Sequence, residues 1–233
     1  MKAAQHLQFS LTACIAAALL LFSTAALPQT QAAPAKPQAP AAAKKGAPPK
    51  ATHLLHLSAV KLEDSGWTDQ RLMGIVRSAG RLLAQCGVKL ERVELVSLAV
   101  PPSYLDLATP EGQRALARDY SVARPAVYFV RNTRSSSAFE AESFGRGNTR
   151  SRPGLADTVW ITLTARDPGI ALAHELAHVL MDSGEHSEEP GNLMRDQTTP
   201  KNTALTRAQC ARLRDTASGN GLLKAVTGAR SAR

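Results

Sequence analysis

The sequence predicts an α+β domain built on a mixed β-sheet, and three observations carry that expectation. Residues 67–87 place Leu72, Ile75, Val76, Ala79, Leu82, Leu83 and Cys86 at steps of three and four, the period of an amphipathic helix. Residues 89–100, 125–132 and 157–164 read as strands, the first by alternation of apolar and polar residues, the others by runs of β-branched and aromatic residues. A second helical stretch opens at Asp167-Pro168-Gly169, and a last one covers 206–217. The order strand, helix, three strands, two helices suits an α+β sheet better than a regularly alternating βα array.

The chain has 233 residues, and its first third divides by composition. Lys2 precedes the apolar run of residues 11–22, and small residues follow, as in a secretory signal peptide spanning 1–33. The run falls short of the roughly 20 residues of a membrane span, so no stable span is expected after cleavage. An uncleaved N-terminal anchor is the other reading of the same residues. Residues 34–50 are Ala, Pro and Lys with no large apolar side chain, which describes a linker. Residues 51–225 have the length of one domain with its own core, and 226–233 form a basic tail expected to be disordered.

Within 51–225 the elements follow in order. Residues 53–62 are β-prone and form a first strand. Thr68 or Ser65 can cap the helix at 67–87, and Gly87 stands where a helix often stops. The strand at 89–100 ends at Pro101-Pro102, and a short helix is expected at 110–120. After the strand at 125–132 comes the loop-rich stretch 135–154, with a short edge strand expected near 139–144. The helix after the strand at 157–164 takes Asp167 as N-cap and Pro168 as its first residue, and Gly184 is expected to end it.

Charge and cysteines bound the setting. The formal net charge is +9; Lys2 is the only charged residue before position 34, so the rest of the chain holds +8. Aromatic residues make up only 4 % and no basic stripe interleaves with them, which argues against a nucleic-acid partner. Cys14 would leave with the signal peptide. Cys86 and Cys210 remain, an even pair that an exported, secreted or periplasmic chain would join in a disulfide; two buried free thiols are the alternative.

The chemistry concentrates in 174–194, HELAHVLMDSGEHSEEPGNLM. Three of the six histidines fall here. Side chains at i and i+4 of a helix lie about 40° apart around the axis and ~6 Å apart along it, so His174 and His178 can face one metal ion. Glu175, about 100° round from His174, can hold a metal-bound water instead. Zinc brings that water's pKa to about 7, and the carboxylate takes its proton as it attacks a peptide carbonyl. A third ligand is needed. Among Asp182, Glu185, His186, Glu188 and Glu189, His186 suits zinc best, with a reversal at Gly184 bringing it back; Glu185 is second.

The segment HSEEPGNLM, 186–194, resembles the part of matrixin-type metzincins in which the third zinc histidine precedes a Ser, an acidic-Pro stretch and a Leu-Met ending. The resemblance implies a zincin-like (metzincin-like) domain with a twisted mixed β-sheet, an active-site helix and a C-terminal helix. It implies one catalytic Zn2+ on His174, His178 and His186, Glu175 as general base, and Met194 as the apolar floor called the Met-turn. The implied activity is that of a zinc metalloendopeptidase acting on peptides or proteins, expected as a monomer; a non-catalytic zinc-stabilised envelope binding protein is the alternative. One departure is plain. Metzincins carry a glycine three residues after the second histidine and the third histidine three later; here Met181 holds the glycine position and His186 comes two residues late. The active-site helix is therefore expected to run almost one turn further.

Overall fold

The computed structural model describes residues 49–226 apart from 106, 108 and 132–144. The signal-peptide, linker and tail expectations, and the edge strand near 139–144, fall wholly or almost wholly outside the described residues. Among the described residues six strands and four α-helices follow in order: β1 His53–Leu62, α1 Asp69–Leu83, β2 Val88–Leu98, α2 Pro110–Asp119, β3 Ala126–Val130, β4 Gly145–Asn148, β5 Thr158–Thr162, α3 Pro168–Met181, α4 Arg207–Gly219 and β6 Leu223–Ala225. Among the described residues no helix is long and apolar enough to cross a membrane.

The sheet is mixed, as expected. Its strand order is β2-β1-β3-β5-β4, with the short β6 also on β1. β1, β2, β3 and β5 run parallel, while β4 is antiparallel to β5 and β6 to β1. Every residue of β3 and of β5 is buried, which is why both sequences read as continuous apolar runs: parallel strands in mid-sheet are covered on both faces. On one face Leu55, Leu57, Ala59, Val127, Phe129, Val159 and Ile161 pack against α1, α3 and α4. On the other Val60, Leu62, Tyr128, Val130 and Trp160 pack against Leu116 and Ala117 of α2, with Tyr128 and Trp160 stacked at 4.3 Å.

The caps decide where the helices start. Thr68 caps α1 by accepting the Arg71 amide, and α1 passes into a 3-10 turn, Ala84–Cys86, ended by Gly87 at φ 72°. Asp167 does stand at the N-cap of α3, but its side chain makes no capping hydrogen bond. Thr206 and Gln209 form a capping box at α4. The expected bridge is present: Cys86 and Cys210 are joined, with Cα atoms 4.8 Å apart, and tie the 3-10 turn to α4.

Candidate metal centre

Helix α3 is buried around almost its whole circumference between the sheet, α1 and α4, so its composition is apolar on all sides. Its two histidines are exceptions to that composition but not to the burial: His174 is 3 % and His178 6 % exposed. Their Nε2 atoms lie 3.0 Å apart. Each ring is held from its far side. His174 Nδ1 donates to the Leu193 carbonyl at 2.7 Å, and His178 Nδ1 donates to the Ser183 carbonyl at 2.6 Å. A carbonyl can only accept, so both protons sit on Nδ1 and both Nε2 atoms present lone pairs to each other. Burial lowers the pKa of both rings, that of His178 to about 4, and keeps them neutral.

The helix stop differs from expectation. α3 ends at Met181, not near Gly184, and does not run on for a further turn. Asp182 makes the turn with φ 46° and ψ 51°, left-handed backbone that a non-glycine residue adopts at a cost. Its carboxylate accepts the Arg150 amide at 2.8 Å, and the Asp182 and Ser183 amides close onto the Val179 and His178 carbonyls. The two additional residues thus lie in the segment after the helix, where Ser183 turns its carbonyl onto His178.

That path brings His186 back. Its ring centre lies 4.9 Å from that of His178 and 5.4 Å from that of His174. One ligand atom from each of the three rings lies within 4.8 Å of the others, a grouping that could hold a metal ion. His186 is the most exposed of the three, and its Nδ1 faces an Asp196 oxygen at 3.8 Å. Two of the rival carboxylates are engaged elsewhere: Glu185 accepts from Arg212 at 2.7 Å and Ser183 at 3.2 Å, and Glu189 accepts from Asn192 at 3.3 Å.

Glu175 departs from the buried pattern of α3 and is partly exposed in a cleft of about 880 Å³ that also admits the three histidines, Gly147 and Arg146. Its Oε2 accepts the Gly147 amide at 2.5 Å. Burial pushes its carboxyl up to about 7, against the Gly147 hydrogen bond and the electrostatic influence of His186 and Arg146, which pull down. Met194 is 1 % exposed and belongs to the core cluster shared with α3 and α4.

With this geometry in hand, comparison with solved structures identifies the architecture. Metalloproteinase-II from Bacteroides fragilis superposes with a TM-score of 0.51 at 16 % identity, over 72 % of this chain and 55 % of that one. The chain shares the fold of that protein. It spans about half the length of the Bacteroides fragilis protein. Archaemetzincin from Methanopyrus kandleri gives a TM-score of 0.49 at 14 % identity, over 70 % of this chain and 96 % of that one. No protein-family model and no curated protein matches the sequence.

Within this fold, three residues that sequence reasoning passed over support the site. Leu193 supplies a backbone carbonyl, which no side-chain pattern reports. Asn192 is 3 % exposed, accepts the Met194 amide at 2.8 Å, and exchanges hydrogen bonds of 3.0 and 3.2 Å with Gln209 of α4. Gly147 lies on β4, an edge strand among the described residues and packed against α3, and a Cβ there would come within 2.6 Å of the Glu175 carbonyl oxygen. The signal available for Asn192 was its place in the Leu-Met segment; Gly147 had none in its loop-rich surroundings.

Proposed function

We propose that the chain is a zinc-dependent endopeptidase, with His174, His178 and His186 as the metal ligands and Glu175 as the general base. The observation that carries this reading is the pair of unprotonated Nε2 atoms 3.0 Å apart. Two lone pairs at that distance repel, and a cation between them turns the repulsion into attraction. The donor set fits zinc in particular, since three neutral imidazoles with an open fourth position is a catalytic zinc arrangement. Both buried rings direct Nδ1 onto a carbonyl, the outer-shell support typical of ligating histidines.

Bound zinc supplies Lewis acidity, polarising a carbonyl oxygen and acidifying water. The chain's own groups do the rest. Glu175 takes a proton from the attacking water and returns it to the departing amine, and a carboxyl raised toward neutrality suits both transfers. Met194 is assigned the Met-turn position, with its amide on Asn192 and its carbonyl accepting the Ser187 amide at 2.8 Å. Along the cleft, β4 is the edge strand beside the site, and an extended peptide would lie against it by backbone pairing.

Elemental analysis and cleavage of a diverse peptide library test the reading. The full chain should hold one zinc and cleave peptides in a chelator-sensitive way, and Glu175→Ala should keep the metal and lose cleavage. Cleavage that survives Glu175→Ala refutes the mechanism. Zinc retained without turnover on any peptide would point instead to a zinc-stabilised binding protein.

A further inference from the structure

We infer that Gly147 is a positioning residue for the general base: its backbone amide, and its lack of a side chain, hold the Glu175 carboxylate in the cleft. The inference rests on Glu175 acting as base, as proposed above. A glutamate side chain has three rotatable bonds, and nothing in a helix fixes its end. Here, among the described residues, a backbone donor does so. The Gly147 amide donates to Oε2 at 2.5 Å and leaves Oε1 for the reacting proton.

The contact requires glycine for a second, independent reason. A Cβ on residue 147 would lie 2.6 Å from the Glu175 backbone oxygen and 3.2 Å from Oε2. The obstacle is helix backbone, which cannot swing aside as a flexible side chain would, so any larger residue must lift β4 from α3 and pull the amide off the carboxylate. In the glycine-bearing chain β5 holds β4, and with it the amide, in place. The next residue, Asn148, is fully buried; its side chain donates to Thr158 at 3.2 Å and its carbonyl accepts the Asp157 amide at 2.9 Å. The strand is thus locked to β5 at one position and pressed against the base at the one before. The metal ligands take no part in this arrangement, since their supports come from Leu193, Ser183 and Asp196.

Two measurements on the full chain test the inference. In amide-resolved NMR, the Gly147 proton should stand far downfield and return toward ordinary amide values in Glu175→Ala; an unchanged shift overturns the contact. In kinetics, Gly147→Ala should lower kcat by about 100-fold, as a displacement near an ångström at the reacting groups does, with KM and zinc affinity within about 3-fold of wild type. A merely structural glycine would lower the melting temperature and zinc affinity together and leave the kcat of the folded fraction intact, which also overturns the inference. Should Gly147→Ala fail to fold, the NMR comparison decides alone. Wild-type protein that cleaves nothing removes the peptidase reading and this inference together; wild-type cleavage with full kcat in Gly147→Ala removes the inference only.

Discussion

His174 Nδ1 donates its hydrogen to the carbonyl of Leu193, 2.7 Å from the nitrogen and nineteen residues further along the chain. This bond sets which nitrogen of the ring carries the lone pair and which way the ring faces. The carbonyl is itself held. The Leu193 amide donates to the Ala204 carbonyl at 2.6 Å, and the Met194 amide to Asn192 Oδ1 at 2.8 Å. Asn192 in turn is clasped by Gln209 of α4.

Asn192→Ala should therefore affect the metal although Asn192 ligates nothing. It strips the buried Met194 amide of its acceptor and Gln209 of its partner, at a cost of about 2–3 kcal/mol in unfolding free energy. Zinc affinity should fall about 10-fold, as for loss of an outer-shell group. Chemical denaturation and a chelator-competition titration measure the two. Unaltered zinc affinity in the folded variant would separate Asn192 from the site.

His186 is supported differently, by the exposed carboxylate of Asp196 at 3.8 Å. Asp196→Asn should weaken zinc binding by less than the Asn192 change, about 3-fold, because a solvent-exposed charge is screened. The difference between wild type and variant should shrink as salt rises from 0.05 to about 1 M, where the screening length drops to about 3 Å. A salt-independent difference would mean that Asp196 acts by shape and not by charge.

Acid should destabilise the metal-free protein through the buried histidines. His178 is brought from an ordinary 6.5 to about 4, so between those values the unfolded chain takes a proton that the folded chain refuses. Stability therefore falls as pH drops from 6.5 to 4, by on the order of a few kcal/mol, and His174 shifts in the same direction. Glu175 opposes this. Its carboxyl, raised from 4.5 to about 7, takes its proton first in the folded state and adds stability as pH falls from 7 to 4.5. Glu175→Gln should then show a steeper acid loss than wild type when chelator-treated samples are melted across pH 4–7. Parallel profiles would contradict the opposing contribution.

The Cys86–Cys210 bridge closes a stretch of 124 residues, and both sulfurs are buried. Replacing both cysteines by alanine should lower stability by about 2–5 kcal/mol, read in denaturant without reductant. Added reductant should leave the double variant unchanged. Zinc binding should persist wherever the variant is folded, since no ligand hangs on the bridge.

Much of the fold was legible because its signals are local. Leu72, Ile75, Val76 and Ala79 announce α1 by spacing alone, and β3 and β5 announce their burial on both faces by having no polar alternation. His174, Glu175 and His178 were legible for the same reason, being fixed to one helix. The parts that escaped depend on distant partners. Gly184 looked like the helix stop, yet Asp182 makes the turn because the Arg150 amide, 32 residues earlier, meets its carboxylate. Gly147 is required by the helix backbone 28 residues later and not by any turn of its own. β6, three residues long, is too short to show a period, and it exists because β1 offers it an edge.

The hydrogen bonds around α3 separate two properties that enzymology tends to merge. The His174 and His178 rings, the carbonyls that orient them and His186 all belong to residues 174–194, so the three-histidine cluster is encoded in one short run. The base depends on a strand that joins it from elsewhere in the chain. A variant that kept this run and its supports at Ala204 and Gln209 but lost β4 would then keep its three histidines together and leave the base unfixed, and metal content would be a poor proxy for a working enzyme.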